Sequence, residues 1–308
     1  MSILLVAQHR DMKPFRNSLL AVDPNLDIEI WPAVKNPERV NFAIAWNQPK
    51  NVFEKIPNLK VISSLGAGVD HLLQDDSIPA HIEFTRIVAP SLTDQMCDYI
   101  IGSAINILRK SLTYAKQQFR AEWQPQEHYF KRNISVGVMG LGELGKSVAE
   151  RLRDNNFTTL GWSRSKKEIP GIDTYSGNEL DTFLAETNML VCLLPLTDKT
   201  DGIINLDCFK KLKQPAFFIN AGRGEHLVEE DLIYALDTET IKHAALDVFS
   251  EEPLPDSHPF WGRDKITITP HAAAFTDPEE TAGLLVDNYK RMMSGQELHH
   301  KVDKDLGY

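Results

Sequence analysis

Three short stretches carry side chains suited to anion binding and proton transfer. NAGRG at 220–224 sets Arg223 in a glycine-bracketed turn after an apolar run, LDVFSEEPLP at 246–255 places Asp247, Glu251 and Glu252 after the next, and TPHAA at 269–273 places His271 after the last. A guanidinium offers a planar fork of donors to a carboxylate or phosphate. Histidine can exchange a proton near neutral pH. Each residue also has a plain reading: Arg223 as a surface ion-pair partner, Glu252 as a solvated charge before Pro253, His271 as a satisfied loop histidine. All three stretches follow strand-like runs, and ligands gather beyond strand ends in open α/β sheets.

A glycine-rich turn supplies the second kind of chemistry. ISVGVMGLGELGKSVAERL places Gly140, Gly142 and Gly145, with Leu141, Glu143 and Leu144 between them, after an apolar run and at the start of an amphipathic segment. In that context GxGxxG is the signature of a dinucleotide-binding turn. Gly140 permits the tight turn, Gly142 lets backbone approach a pyrophosphate, and Gly145 lets helix pack on strand, with the helix N-terminus facing the anion. Some twenty residues on, GWSRSKK at 161–167 stands where an NAD-binding chain presents an acid to the adenosine ribose, and no acid is there. Ser163 can donate to a 2′-phosphate and Arg164 can supply a charged fork, which favours NADPH. The alternative is a basic surface loop in a chain that uses NADH. Lys166 and Lys167 are read as general positive field.

These residues need a scaffold of a particular kind. The chain has 308 residues, a length that suits two domains. Apolar runs at 3–7, 28–31, 42–46, 61–64 and 83–87 alternate with stretches long enough for helices. The second half repeats the rhythm with six runs, at 134–139, 158–162, 189–194, 216–220, 244–248 and 266–269, as a complete doubly wound sheet requires. A helical stretch from a Thr93 cap to about Trp123 joins the halves, and helical spacing returns from about Asp277. That places residues 1–98 with 276–308 in a discontinuous first domain, and 99–275 in a dinucleotide-binding domain. The net charge of −10 disfavours a general nucleic-acid or anionic-membrane surface. Three scattered cysteines suit a reducing, cytoplasmic compartment, and neither a signal peptide nor a membrane-length apolar run is expected. No metal site is expected: His299 and His300 are adjacent, but no third ligand is evident beside them.

Six motifs in order, LGAGVD at 65–70, GLGELG at 140–145, CLLPLT at 192–197, NAGRG, LDVFSEEPLP and TPHAA, make the chain similar to the D-2-hydroxyacid dehydrogenases over nearly its whole length. WSRSKK, the NQP after Trp46 and the ending DKDLGY resemble the glyoxylate/hydroxypyruvate reductase A type within that family. The resemblance implies an α/β fold of two doubly wound parallel-sheet domains: a flavodoxin-like substrate domain and a Rossmann cofactor domain. It implies reduction of a small 2-oxo acid in a cleft between them, with NADPH preferred and NADH the alternative, and a homodimer formed through the cofactor domain. Arg223 would pair with the substrate carboxylate and stabilise the developing oxyanion, and His271 would be the general acid with Glu252 against it. The neighbouring carboxylate would favour the imidazolium. Gly66, Ala67 and Gly68 would offer backbone N–H groups to the carboxylate, and Trp46 would wall the pocket. Leu194, Pro195 and Ala221 would line the cofactor, Asp247 would lie near the nicotinamide, and Asn220 would hold its turn. Gln95 or Met96 would lie near the substrate. Another 2-oxo acid reduced with NADH, and a dinucleotide-sensing scaffold without turnover, are the competing readings. A formate dehydrogenase would carry glutamine in place of Glu252.

Overall fold

The computed structural model describes residues 1–8, 10–304 and 306–307. It packs as two compact units, Met1–Leu92 with Thr276–Tyr308, and Thr93–Phe275.

In the first unit, β1 (Ser2–Ala7), β2 (Ile28–Ile30), β3 (Val40–Trp46), β4 (Val61–Ser64) and β5 (Glu83–Thr85) form a parallel sheet in the order β2-β1-β3-β4-β5. This is the flavodoxin-like order. Every residue of β1 is buried, as expected of a central strand covered on both faces. Helices α1 (Lys13–Val22) and α2 (Asp70–Leu73) belong to this unit. So does the terminal helix α9 (Pro278–Ser294), which packs on α1. Asp277 caps α9 by accepting from Glu279 N at 2.8 Å, and Gly295 ends it in the left-handed conformation.

Helix α3 (Pro90–Arg109) leads into the second unit. The single helical stretch expected from Thr93 begins instead at Pro90, whose fixed φ suits a first helical turn. It breaks at Lys110, which adopts φ 55° before α4 (Ser111–Phe119). Residues 93–98 pack with the second unit, whereas the sequence reading set them in the first. Met96 and Cys97 join the buried cluster that includes Val138, Leu141 and Val148.

The second unit holds β6 (Ser135–Met139), α5 (Glu143–Asp154), β7 (Thr158–Ser163), β8 (Asp173–Ser176), α6 (Leu180–Glu186), β9 (Met189–Cys192), α7 (Leu206–Lys211), β10 (Phe217–Asn220), α8 (Glu229–Asp237), β11 (His243–Leu246) and β12 (Ile266–Ile268). Its strands run parallel in the order β12-β11-β10-β9-β6-β7-β8. Six strands were expected, and the seventh is β8. Its sequence, DTYS, lies at the sheet edge with no residue fully buried, so no apolar run marks it. Consecutive residues of the central strands serve opposite faces: Met189 and Val191 enter one core cluster, Leu190 and Cys192 the other. Among the described residues, no helix is long and apolar enough to cross a membrane.

Candidate active site

In the second unit, the sheet order reverses between β6 and β9, and the loops after these strands meet there. A Cβ on Gly140 would stand 2.6 Å from the carbonyl oxygen of Leu193, and Gly140 itself has φ +105°. Gly145 is more constrained still, because its Cβ would meet the carbonyl oxygen of Gly140 at 1.8 Å. Gly142 differs from both. It is exposed, has nothing within 4 Å of a would-be Cβ, and begins α5 with no side-chain cap. The three glycines therefore make a turn, an open approach and a tight helix contact. The uncapped helix end beside open backbone fits a pyrophosphate. Leu141, between them, is buried against Gly161 and can offer only backbone, while Glu143 is exposed and Leu144 half-buried.

This difference between the glycines gives a prediction. Gly142→Ala should fold normally and weaken dinucleotide binding. Gly145→Ala should lower stability by about 1–3 kcal/mol, since backbone must shift to admit the methyl group. Thermal melts and cofactor titration of the two variants separate the effects.

At the end of β7, Ser163 is buried and its hydroxyl donates to Ser165 O at 2.8 Å, closing the turn that carries Arg164 to the surface. Lys166 Nζ donates to Thr174 O at 2.9 Å on the neighbouring strand, so it is tethered and contributes positive field from there. Leu194 and Ala221 are buried, Pro195 is half-buried, and Pro195 O accepts from Thr200 Oγ1 at 2.8 Å.

The acid–base pair lies beyond β11 and β12. His271 Nδ1 is 2.7 Å from Glu252 Oε2, and Glu252 Oε1 accepts from Phe249 N at 3.0 Å. Burial, the largest influence on Glu252, raises its pKa. The hydrogen bond and charge of His271, the Phe249 N–H and the charge of Arg223 outweigh it together and hold the carboxyl below its ordinary range. An ionised Glu252 can only accept, so Nδ1 carries the hydrogen, and Nε2 is the ring atom left to exchange a proton. Gly224 brings Arg223 towards this pair: a Cβ there would stand 1.9 Å from the carbonyl carbon of Phe249, so the Arg223 turn rests directly on the Glu252 loop. Both ends of the Arg223 peptide unit are fixed. Its N–H donates to His226 Nδ1 at 3.1 Å, and its C=O accepts from Asn220 Nδ2 at 2.9 Å. The guanidinium Nη1 donates to Gly222 O at 2.7 Å.

Asp247 is 1% exposed and engages the backbone of the histidine loop. Oδ1 accepts from Ala272 N at 2.8 Å and Oδ2 from Ala273 N at 2.9 Å. Asp247 is thus a structural support of the loop that carries His271. His226 and Thr269, which hold the two turns, were missed in the sequence. The RGEH spacing after β10 is the one local signal for His226, because it lets the imidazole reach back three residues.

In the first unit, Trp46 and the Gly66 turn come together. A Cβ on Gly66 would lie 2.5 Å from the Trp46 ring, and that ring sits 5.0 Å from the His71 ring. Gly66 N–H donates to Ser64 Oγ at 3.3 Å, while Ala67 and Gly68 are half-exposed. Gln95 clamps the backbone of Phe275, donating to its carbonyl and accepting from its N–H, both at 3.0 Å. Met96 is buried in the core.

A parallel sheet ordered around a glycine turn, with a histidine–glutamate pair and an arginine beyond its strand ends, defines a nicotinamide-dinucleotide-dependent oxidoreductase. Residues 101–273 match the family described as D-isomer specific 2-hydroxyacid dehydrogenase, NAD binding domain. The chain belongs to the D-isomer-specific 2-hydroxyacid dehydrogenase family. It is 35% identical to a glyoxylate/hydroxypyruvate reductase A of Yersinia enterocolitica, covering 100% of both chains. It is 38% identical to the protein of that name from Photorhabdus laumondii, over 92% of this chain and 93% of that one. Among solved structures, an NADPH-dependent glyoxylate/hydroxypyruvate reductase of Sinorhizobium meliloti in complex with NADP and sulfate is 34% identical with a TM-score of 0.92, covering 100% of each chain. A D-isomer specific 2-hydroxyacid dehydrogenase of Xanthobacter autotrophicus in complex with NADPH and MES matches with the same identity and TM-score, over 100% of this chain and 99% of that one.

Proposed function

We propose that the protein reduces small 2-oxo acids, glyoxylate and hydroxypyruvate among them, to 2-hydroxy acids with NADPH. The observation that carries this reading is the His271–Glu252 pair at 2.7 Å on a loop adjoining the Arg223 turn, in the unit that holds the glycine turn. The reductase relatives, alike over the full chain, point the same way.

When bound, the reduced nicotinamide supplies the hydride. Arg223 attracts the substrate carboxylate and draws charge onto the 2-oxo oxygen, and His271 Nε2 donates the proton that oxygen needs. Glu252 orients the ring through Nδ1 and stabilises its charged form. The half-exposed backbone of Ala67 and Gly68, with Gly66 beside Trp46, is suited to carboxylate oxygens and a small substrate. The open backbone at Gly142 meets the pyrophosphate in a turn that Gly140 and Gly145 shape, with Leu141, Glu143, Leu144, Leu194, Pro195 and Ala221 around the dinucleotide. Arg164 takes the 2′-phosphate, carried on the turn that the Ser163 hydroxyl closes.

Initial rates with NADPH and with NADH, using glyoxylate, hydroxypyruvate and pyruvate as acceptors, test this assignment. Arg164→Ala should raise the KM for NADPH by about 10- to 100-fold, equivalent to about 1.5–3 kcal/mol for a charged hydrogen bond, and leave NADH unchanged. Equal loss with both cofactors would remove Arg164 from phosphate recognition.

We also propose a cytoplasmic homodimer. Cys97, Cys192 and Cys208 are free thiols, as a reducing compartment permits. Phe119 is 94% exposed at the end of α4 and Trp123 98% exposed just beyond it, apolar surface that a second copy would cover. Sedimentation of a Phe119→Ser, Trp123→Ser variant should show monomer where the parent shows dimer.

A further inference from the structure

We propose that Tyr99 and Thr269 are positioning residues for His271, acting through the carboxylate of Asp247. The inference rests on the reading of His271 as the proton donor and extends it to two residues whose hydroxyls bond to Asp247 and to each other.

The hydrogen bonds run in one direction. Asp247 Oδ1 is 2.6 Å from Thr269 Oγ1, which is 2.8 Å from the hydroxyl of Tyr99. The Asp247 carboxylate accepts two backbone N–H groups, from Ala272 and Ala273. Both oxygens are thus acceptors, and the Thr269 hydroxyl donates to Oδ1. The one hydroxyl proton of Thr269 is therefore committed to Asp247. Tyr99 must then be the donor to Thr269, because the threonine oxygen has only lone pairs left to offer. Burial, the largest influence on Tyr99, pushes the phenol up to about 12, so it keeps this proton across any working pH.

What this chain of bonds holds is the backbone of residues 271–273, strained at His271. His271 has φ +50°, a conformation that is unfavourable for a non-glycine residue and persists only where its surroundings enforce it. Asp247 enforces it from both of its ends. Its own carbonyl accepts His271 N–H at 2.8 Å, and its carboxylate takes the next two N–H groups at 2.8 and 2.9 Å. The carboxylate makes both contacts while Thr269 Oγ1 donates to its Oδ1. Tyr99 in turn ties Thr269 to α3, a helix packed on the same core. Without the hydroxyls, the carboxylate loses its side-chain restraint and the imidazole loses its fixed aim towards the reacting oxygen.

Thr269→Val, Thr269→Ser and Tyr99→Phe test this against a merely stabilising role, with His271→Gln as the control for the underlying reading. Valine keeps the shape of threonine and removes the hydroxyl, whereas serine restores it. The full-length protein is assayed for kcat and KM in reduction, for NADPH affinity by fluorescence titration, and for the His271 ring resonances by NMR across pH. Thr269→Val and Tyr99→Phe should lower kcat about tenfold, as small misplacements of a reacting group do. NADPH affinity should hold, the His271 resonances should move, and Thr269→Ser should restore both. Thr269→Val and Tyr99→Phe with wild-type kcat and unmoved His271 resonances, beside an inactive His271→Gln, would overturn this inference alone. A fully active His271→Gln would instead remove the proton-donor reading on which it rests. Should Thr269→Val fail to fold, Tyr99→Phe, which keeps its ring in place, decides the matter.

Discussion

His271→Ala should lower kcat for reduction of a 2-oxo acid by about 10²- to 10⁴-fold, the range that general acid catalysis contributes, while NADPH still binds. The split is expected because His271 sits after β12 on a loop held by Asp247, while the glycine turn that would receive the pyrophosphate follows β6. Removing the imidazole takes away the proton source and leaves the turn between β6 and α5 untouched. Stopped-flow rates and a fluorescence titration of NADPH check the two halves separately, and loss of NADPH affinity would make His271 a structural residue.

Glu252→Gln is the finer version of the same experiment. The amide oxygen can still accept from Nδ1, so the ring keeps a partner across the present 2.7 Å contact. What disappears is a charge, since Glu252 is held below its ordinary carboxylate range and is ionised at any pH where reduction would be assayed. A negative neighbour favours the protonated imidazole. The loss in kcat/KM should therefore be small in mildly acidic buffer and grow to about tenfold towards alkaline pH. A loss that is uniform with pH would show that Glu252 contributes orientation alone.

The legible parts of this chain are those whose chemistry is local. The glycines of 140–145 could be read because each answers a constraint within a few residues, and the structure gives each a different one: a positive φ, an open face, and a contact no methyl group could enter. The apolar runs of the central strands could be read because burial on both faces leaves no polar alternation. Strand β8 could not, because DTYS at the sheet edge offers the core Tyr175 and no apolar run. The break at Lys110 was hidden because helical spacing continues on either side of it. Asp247 was found by its motif and assigned to the nicotinamide end of the cofactor. Its burial and its two backbone donors, from residues 25 and 26 positions further on, depend on how β11 lies against β12. Tyr99 is further away still, 170 residues from the threonine it bonds. Pairings of that kind are written in the packing of elements, and local spacing carries no trace of them.

Arg223 marks where the local and long-range parts meet, and its replacement carries the other large effect. Arg223→Ala should reduce kcat/KM for a 2-oxo acid by about 2–5 kcal/mol, the cost of removing one partner of a desolvated charge pair. The backbone around it is built to survive the change. Asn220 holds the carbonyl of residue 223 and His226 its N–H, and neither bond uses the side chain. The turn should therefore keep its shape, and melting temperature should change little. Arg223→Lys restores the charge without the fork. If the guanidinium works by gripping two substrate oxygens in one plane, lysine should recover only a minor part of the loss. Free guanidinium added to the alanine variant should recover more than an equal concentration of ammonium. Full recovery by lysine would reduce Arg223 to a point charge, and near-parental turnover by alanine would place the carboxylate elsewhere.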